Sequence, residues 1–383
     1  MLATPLTTVL VAFVAVMVTL QVASSALVWR RLRRPLRMPR GPLPEISLLR
    51  PVCGLDAHDT ETLGSSFALT YPKYELIFCI ASPDDPAVPL VKRLIAEHPD
   101  HRARLLLGDN PVSGNPKLNN LIKGWDGAHC EYVLMTDSNV LLPPDYLQQM
   151  IAAWQPDTGL VSSPAIGQHG EGFWGALECG FLNGYQARWQ LASDEFGNGF
   201  AQGKNLLWQR DFLASVGGPA VLGRDLAEDV GATKLVRGAG LRVRLAQKPF
   251  AQPIGRRSFA QVWSRQLRWA RVRRAGFVRI FASEILTGAA APALATGALV
   301  ALGALPWVVL PLGLAGWFGV EWALARAVGW PSKWRDVFAW VLRDTLIPAL
   351  WIGGWSGRGF VWRGTVMSEA PPRHEPGERK GLG

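Results

Sequence analysis

The sequence predicts an α/β domain with a largely parallel sheet, carried between membrane-spanning helices near both ends of the chain. Short apolar strands alternate with helical stretches between residues 46 and 136, and such alternation is typical of parallel sheets with right-handed crossovers. Uncharged runs occupy residues 5–29 and 285–320. The first is long enough to cross a bilayer once, and the second is long enough for two crossings.

The composition agrees with membrane association. The 383 residues are 49% hydrophobic and include 17 Trp, and the mean hydropathy is +0.11, near the membrane edge of the soluble range. A net charge of +10 suits either nucleic acid or an anionic membrane. The arginines crowd against apolar segments, which favours the membrane and argues against nucleic acid. Four scattered Cys and six His without ligand spacing predict a reduced, cytoplasm-facing protein without disulfides or a zinc site.

Residues 1–34 are predicted to form an N-terminal membrane anchor with a basic flank. The apolar run from Pro5 to Trp29 has no Lys or Arg before it and several arginines directly after it. A signal peptide cleaved near Ala23–Ala26 is the alternative, but it would carry its positive charge before the apolar run. By the positive-inside rule, the N-terminus lies outside and the following chain is cytoplasmic.

Residues 44–255 are predicted to form the cytoplasmic α/β domain. Apolar runs and their flanking turn residues predict strands over 46–52, 74–82, 104–107, 132–136 and 242–246. Helical patterns are expected over 60–69, 86–98, 117–124, 174–189 and 225–236, with a glycine-rich hinge at 196–203.

The C-terminal third is predicted to return to the membrane. Residues 256–282 mix arginine with tryptophan, as in helices at the headgroup level. Residues 283–356 are expected to hold membrane helices: two spans or a hairpin turning near Leu305-Pro306, then a weaker candidate that contains Arg343 and Asp344. An ion pair is costly in lipid unless it faces protein, so this candidate is a third span or an interfacial helix. Residues 357–383 are predicted to form a polar tail, which is expected to be disordered from Ser368 to Gly383.

Two acidic motifs follow predicted strands. Asp84 and Asp85 come after the strand at 74–82, and Asp137 ends the strand at 132–136. Ligands of open α/β sheets bind beyond the carboxyl ends of the strands. Asp84 or Asp85 would accept hydrogen bonds from a base or ribose, and Asp137 would hold a divalent cation that in turn holds a diphosphate. The alternative for each motif is a capped turn.

Two further motifs stand later in the chain. Glu228 and Asp229 lie in a predicted helix, where they would complement the helix dipole or supply a general base. The segment from Arg265 to Trp269 reads Arg-Gln-Leu-Arg-Trp. Its arginines would bind a diphosphate leaving group, or they would form the headgroup-facing side of a basic helix.

The order of these motifs resembles the inverting glycosyltransferases of the GT-A fold. Over nearly its whole length the chain resembles the ceramide glucosyltransferase family, glycosyltransferase family 21. The two most diagnostic segments are Asn115–Leu121 and Arg265–Trp269. The other matching stretches are Tyr71–Glu75, Asp84–Ala87, Asp137–Ser138, Ala227–Asp229 and Trp362–Gly364.

The resemblance implies a GT-A, Rossmann-like nucleotide-diphospho-sugar transferase domain and a role for each motif. Asp84 or Asp85 would bind the uridine, Asp137 the metal and diphosphate, and Asp229 would be the general base. The remaining implied site residues are Lys117, Asn119 and Glu228 in substrate binding, and Arg265, Arg268 and Trp269 in closing the site near the diphosphate and acceptor.

The implied reaction is inverting transfer of a hexose, glucose by family default, from a UDP-sugar to the hydroxyl of a membrane lipid such as ceramide. The implied cofactor is Mg²⁺ or Mn²⁺. The arginine-rich, lysine-poor composition indicates a bacterial member in the inner membrane. The related hopanoid-associated glycosyltransferases share much of the pattern, so a hopanoid or phospholipid acceptor with UDP-GlcNAc or another UDP-sugar stays open.

Two departures from the family pattern limit these implications. Asn139 stands where many members have glycine, so the motif is not a full Asp-x-Asp and supplies one carboxylate. The segment Gly203–Asn205 matches the eukaryotic members poorly, which leaves sugar and acceptor open. A processive polysaccharide synthase shares the motifs, but the C-terminal apolar region is short for a polymer channel. A non-catalytic membrane scaffold is opposed by the intact carboxylates and the Arg/Trp motif.

Overall fold

The computed structural model describes residues 5–39, 41–357, 359–362 and 365–368, with residues 360–362 and 365–368 described through their backbone alone. Most of the predicted polar tail, residues 369–383, lies outside the described residues. So do two residues of the Trp362–Gly364 stretch, Arg363 and Gly364.

The helices alternate with strands through the first two thirds of the described chain. The helices are α1 (Pro5–Arg33), α2 (Asp59–Gly64), α3 (Ala87–Glu97), α4 (Pro116–Gly127), α5 (Tyr146–Ala152), α6 (Gly172–Gly180), α7 (Arg188–Asp194), α8 (Arg210–Ser215), α9 (Glu228–Gly238), α10 (Phe259–Gly276), α11 (Val278–Ser283), α12 (Ala290–Ala301), α13 (Val309–Val328) and α14 (Trp334–Trp355). The strands are β1 (Ile46–Val52), β2 (Tyr74–Ile80), β3 (Ala103–Leu107), β4 (Tyr132–Thr136), β5 (Thr158–Ser162), β6 (Ala165–Glu171), β7 (Asn205–Gln209), β8 (Arg242–Leu245), β9 (Phe250–Arg256), β10 (Gly359–Trp362) and β11 (Thr365–Ser368).

A seven-stranded sheet forms the centre of the α/β domain, in the order β3-β2-β1-β4-β7-β5-β8. Neighbours run parallel except at β7, which is antiparallel to both β4 and β5. The predicted α/β class is confirmed, and the prediction of a largely parallel sheet holds for every pair that does not involve β7. The sequence pattern does not predict β7, because the apolar run of this strand directly follows the predicted glycine-rich hinge.

Both faces of the sheet are buried, as parallel sheets require. Alternate residues of β1 and β4 enter two separate cores: Leu48 and Leu134 pack with α3 and α5, whereas Leu49 and Val133 pack with α4 and α9. The continuous apolar runs that predicted these strands are therefore the consequence of helices on both faces.

A second sheet pairs β6 with β9 in parallel and leads the chain into α10. A bridge between Leu141 and Ala251 joins this sheet to the loop that follows β4. The loop carrying Asp137 and the helix carrying the Arg265–Trp269 motif are thus connected through β9.

Some predicted helices differ from those observed. The helix expected over 60–69 is shared between α2 and a 3₁₀ turn at Ser65–Phe67, and the helix expected over 174–189 is divided by a π-helical stretch at Phe181–Ala187. The helix expected from residue 225 begins at Glu228. Glu228 and Asp229 therefore lie in its first turn, where acidic side chains complement the helix dipole.

In the described chain, α1 and α14 are long and apolar enough to cross a membrane. The pair Val278–Leu286 and Ala290–Ala301, bent by 45°, adds a third candidate if it is counted as one span. The connection between α12 and α13 contains the predicted turn at Leu305-Pro306.

Charged side chains inside the helical bundle face protein. Arg343 on α14 pairs with Asp344 and with Glu321 of α13, at 2.6 Å and 2.8 Å from Glu321, and all three side chains are buried. The ion pair of Arg343 and Asp344 therefore faces protein, as an ion pair in a membrane helix must. Glu321 is a further partner that the sequence pattern did not predict.

The anchor helix is bonded to the α/β domain at its basic end. Arg31 is buried and donates to Asp194 Oδ2 at 2.8 Å, to Glu195 Oε1 at 3.1 Å and to three backbone oxygens in residues 245–247. Arg34 adds a second bond to Glu195. This basic flank therefore fixes α1 to the domain.

Candidate active site

The candidate site is built on the loop that follows β4. The backbone N–H of Asp137 donates to the carbonyl oxygen of Lys204, just ahead of β7. Beneath the loop, the fully buried Arg50 of β1 donates to the carbonyl oxygens of Ser138 and Val140. Burial lowers the pKa of Arg50 to about 10. The loop after β4 is thus held by the Arg50 guanidinium of β1 and by the backbone bond between Asp137 and Lys204.

The N-terminus of α4 supplies the first cation of the site. Asn115 caps the helix, because its side chain accepts from the N–H groups of Lys117 and Leu118. The same side chain donates to Glu228 Oε2 at 2.7 Å. The Asn-Pro-Lys sequence therefore places the Lys117 side chain in the first turn of α4 while tying that turn to α9.

Lys117 joins three segments of the chain. Its Nζ lies 2.6 Å from Asp137 Oδ1, 2.7 Å from Glu228 Oε1 and 2.5 Å from the carbonyl oxygen of Gly203. A side chain at position 203 would crowd the Glu228 carboxylate, since a Cβ there would lie 2.7 Å from Glu228 Oε1. The three acceptors match the three N–H bonds of an ammonium group.

Lys204 approaches Asp137 from the opposite side. Its Nζ lies 3.0 Å from Asp137 Oδ2 and 2.9 Å from Asn139 Oδ1. The Lys204 side chain is 12% exposed and that of Asp137 is 22% exposed. Each carboxylate oxygen of Asp137 thus has its own lysine.

The charges of this cluster shift each other's ionisation. Burial alone would raise the pKa of Asp137, but Lys117 and Lys204 outweigh it and hold that pKa far below its ordinary value. Burial alone would lower the pKa of Lys117, but Asp137 and Glu228 outweigh it and keep that pKa high. For Lys204, burial prevails over the attraction of Asp137 and its pKa is lowered.

Asp229 lies beside this cluster in the first turn of α9. Its Oδ2 accepts from the backbone N–H of Gly203 and its Oδ1 from that of Val230, both at 2.9 Å. Burial, followed by the negative charge of Glu228, raises the pKa of Asp229 to about 6. A carboxylate with a pKa near the working pH is suited to accept a proton.

The Arg265–Trp269 motif lies on α10. Arg265 Nη1 donates to Glu178 Oε1 at 2.9 Å, and Glu178 is almost fully buried. The Arg265 guanidinium lies over the Trp269 ring, 5.9 Å from its centroid, and Trp269 packs beside Cys179 and Leu182. The charge of Arg265 contributes to lowering the pKa of Lys204, so the two cations share one electrostatic environment. Arg268 is half-buried on the same helix.

The two aspartates after β2 differ in their surroundings. Asp85 accepts from the backbone N–H groups of Gly54 and Ala87 at 2.8–3.0 Å, whereas Asp84 is exposed. Asp85 therefore fastens the loop after β1 to the start of α3, and Asp84 is the one that faces solvent. Because β1 lies between β2 and β4, these residues lie about 10 Å along the sheet edge from Asp137.

Asn119 bonds to its own loop. Its side chain accepts from the N–H groups of Val112 and Ser113 and donates to the Ser113 carbonyl oxygen. Asn119 is buried, so in this arrangement it shapes the loop before α4 instead of presenting its amide to a ligand.

The structure thus brings Lys117, Asp137 and Glu228 into direct contact and links Asp229 to them through Gly203. Arg265 is near enough to influence the pKa of Lys204, whereas Asp84 and Asp85 lie further along the sheet edge. The sequence pattern assigned no site role to four contributing residues: Arg50, Asn115, Glu178 and Lys204. Lys204 lies in the segment Gly203–Asn205, which matches the eukaryotic family members poorly, and Arg50 and Glu178 are single charges inside apolar segments. A single charged residue inside an apolar run is the signal that would have indicated Arg50 and Glu178.

The donor set around Asp137 does not fit a divalent cation as it stands. Both carboxylate oxygens are bonded to ammonium groups, and those of Glu228 are bonded to Lys117 and Asn115. No group of three His, Cys, Asp or Glu side chains that could hold a metal ion occurs among the described residues. The predicted role of Asp137 as a metal ligand gains no support from this arrangement.

Comparison with known proteins identifies the chain. A family model described as "Glycosyl transferase family 21" matches residues 6–371. The chain belongs to this family. The resemblance inferred from the motifs is therefore confirmed, and this family 21 protein is a glycosyltransferase.

The family 21 chain is similar to two curated proteins of Caenorhabditis elegans. It is 26% identical over 333 residues to ceramide glucosyltransferase 1 and 27% identical over 335 residues to ceramide glucosyltransferase 3. In both cases the match covers 85% of this chain and 72% of the relative.

A solved mannosyltransferase from Pyrobaculum calidifontis, in complex with GDP-mannose and Mn²⁺, has a similar fold. The TM-score is 0.51 at 18% sequence identity, and the match covers 88% of this family 21 chain and 99% of that chain. The GT-A fold predicted for the family 21 protein is confirmed.

Proposed function

We propose that this protein transfers a hexose, glucose by family default, from a UDP-sugar to the hydroxyl of a membrane lipid, with ceramide as the first candidate acceptor. The observation that carries the proposal is the contact between Asp229 and the Lys117–Glu228 pair through Gly203. Asp229 is a half-buried carboxylate with a pKa of about 6. It lies beside the lysine cluster, whose positive charge suits a diphosphate.

The proposed chemistry is a single displacement. The lipid hydroxyl oxygen forms a bond to the anomeric carbon, the bond from that carbon to the donor phosphate oxygen breaks, and UDP leaves with the electron pair. Asp229 accepts the hydroxyl proton. The anomeric configuration inverts, so an α-linked donor gives a β-linked glycolipid.

The leaving diphosphate is stabilised by cationic side chains in this proposal. Lys204 and Arg265 share one electrostatic environment, and preorganised positive charge favours the departure of a phosphate leaving group. Arg268 and Trp269 would close the site over the donor and acceptor, and Asp84 would contact the nucleotide. Mg²⁺ or Mn²⁺ held by Asp137 together with the donor phosphates is the alternative to the lysines.

The lipid acceptor is supported by the helices that flank the domain. The α/β domain is bonded to α1 through Arg31, and α10 packs against the apolar helix α14 through Leu267 and its neighbours. A lipid hydroxyl would enter between α10 and the C-terminal helices. The arginines after α1 favour a domain that faces the cytoplasm, at the inner membrane if the source is bacterial.

Product analysis tests the proposal. The purified full chain in lipid nanodiscs is incubated with UDP-glucose, UDP-GlcNAc and UDP-galactose and a mixture of ceramide, hopanoid and phospholipid, and products are identified by mass. A β-hexosyl ceramide is the expected product. A hopanoid or phospholipid product would change the acceptor, and a polymer would favour a processive synthase. No transfer and no donor hydrolysis with any lipid would favour a non-catalytic scaffold.

A further inference from the structure

The Asp137-Ser-Asn139 motif is bonded to a cation from another segment, the ammonium group of Lys204. The Lys204 ammonium lies 3.0 Å from Asp137 Oδ2 and 2.9 Å from Asn139 Oδ1. It therefore bridges the first and third side chains of the motif. Because the third residue is a neutral amide, the pair of side chains carries one negative charge, which one ammonium balances.

The two lysines of the cluster differ in their bonding. Lys117 donates to Asp137, Glu228 and Gly203, which uses all three of its N–H bonds. Lys204 has two partners within the described part of the chain, Asp137 and Asn139, which leaves one N–H bond for a ligand. Lys117 is thus suited to hold the site together and Lys204 to contact a substrate anion.

A divalent cation bound through Asp137 would lie close to the two ammonium groups that already bond its oxygens, and like charges repel. A lysine ammonium, in contrast, binds phosphate as a point charge and needs no further ligands. The Lys204 side chain is 12% exposed, so a phosphate oxygen can reach it from the solvent side. The charge of Arg265 on α10 acts on Lys204, so a diphosphate bound at Lys204 would meet a second positive charge.

We propose that Lys204, held by Asp137 and Asn139, takes the place of a divalent cation and binds the donor diphosphate directly, so that donor binding is independent of divalent metal. The inference rests on the proposed function, because it assumes a nucleoside diphosphate sugar as the donor.

The first test measures UDP binding to the purified full chain by titration calorimetry, once in excess EDTA and once in Mn²⁺ or Mg²⁺. The expected dissociation constants agree within about threefold. Binding that requires the cation would overturn the inference and leave the proposed function intact. Absence of binding in every buffer would overturn both.

Two variants sharpen the test. Lys204→Gln is expected to weaken UDP binding in EDTA by at least about tenfold, whereas Lys92→Gln, a matched change of an exposed lysine on α3, should leave it unchanged. Wild-type affinity in Lys204→Gln would contradict the inference. Melting curves establish whether each variant is folded, and if Lys204→Gln is not, the EDTA comparison on the wild type still decides.

The double variant Lys204→Gln/Asn139→Asp removes the built-in cation and creates a two-carboxylate motif. Carboxylate oxygens are the ligands that Mg²⁺ and Mn²⁺ prefer. The double variant should therefore regain UDP binding only when Mn²⁺ is added. If UDP binding by the double variant does not change when Mn²⁺ is added, the proposal that the Lys204 ammonium takes the place of a divalent cation is contradicted.

Discussion

Arg265 and Glu178 form an ion pair at 2.9 Å in which the carboxylate is almost fully buried and the guanidinium is 23% exposed at its side chain. Glu178 also lies 3.4 Å from the side-chain nitrogen of Gln266. One buried residue of α6 therefore orients consecutive residues of α10, including the first arginine of the Arg265–Trp269 motif.

Glu178→Gln should lower kcat by about tenfold or more, because Arg265 loses the charge that orients it while its side chain remains. Steady-state transfer assays with a melting curve provide the measurement. Glu97→Gln, which changes an exposed carboxylate on α3, should leave both quantities unchanged. Unchanged transfer by Glu178→Gln would show that Arg265 needs no such partner.

Transfer should depend on pH through Asp229. Its pKa of about 6 lies above the ordinary value of 3.8, so kcat/KM should fall tenfold for each pH unit below about 6 and level off above it. Asp229→Asn should reduce transfer by roughly 10²-fold or more while UDP binding persists. Asp225→Asn, on the exposed pair with Lys234, is the control. Full activity in Asp229→Asn would remove Asp229 as the base.

The same shift has a consequence for stability, with a definite sign. Because the folded state raises the pKa of Asp229, it favours the protonated form, and this contribution is present below pH 4 and lost as the pH rises through 6. Asp229→Asn should therefore raise the melting temperature at pH 8 and leave it nearly unchanged at pH 4. Thermal melts at the two pH values measure the difference, and a lower melting temperature at pH 8 would contradict the prediction.

Gly203→Ala should disturb the site. The added Cβ would lie 2.7 Å from Glu228 Oε1 and 3.4 Å from Lys117 Nζ, and the Glu228 carboxylate is held by Lys117 and Asn115. We expect transfer to fall by at least about tenfold. Gly238→Ala at the end of α9, where a Cβ meets nothing within 4 Å, should retain wild-type activity. Equal transfer activity of the two variants would show that the Glu228 carboxylate can move without loss of activity.

Arg31→Ala should destabilise the protein, since it leaves Asp194 and three carbonyl oxygens without their guanidinium partner. Breaking a buried ion pair costs on the order of 3 kcal/mol. Arg33→Ala makes the same change of charge on an exposed residue of the same helix, and its effect should stay within about 0.5 kcal/mol. Denaturation in detergent compares the two, and equal stabilities would mean that the contact contributes nothing.

Local pattern was sufficient for the strands up to residue 136, whereas β5, β6 and β9 were not predicted. Strands at 46–52 and 132–136 were predicted with the bounds observed for β1 and β4, because two-sided burial produces an uninterrupted apolar run. The antiparallel direction of β7 was not predictable, since it depends on pairing with β4, roughly 70 residues earlier in the chain.

The candidate site was predictable only in part. Lys117, Asp137, Glu228 and Asp229 belong to motifs with a recognisable order, and they meet in space. The contacts of Glu178 with Arg265 and of Lys204 with Asp137 join residues 87 and 67 positions apart, and neither spacing corresponds to a helical or strand repeat. Such partners become visible only when the chain is folded.

The bonds from Arg31 to the backbone oxygens of residues 245–247 fix the distance between the basic end of α1 and the candidate site. A helix of 29 residues spans about 43 Å, and its basic end is joined rigidly to the sheet that carries the carboxylates. The candidate site therefore stays at a fixed distance from the basic end of α1. If the proposed function holds and α1 crosses the bilayer, lipids whose headgroups protrude to different heights should be glycosylated at different rates.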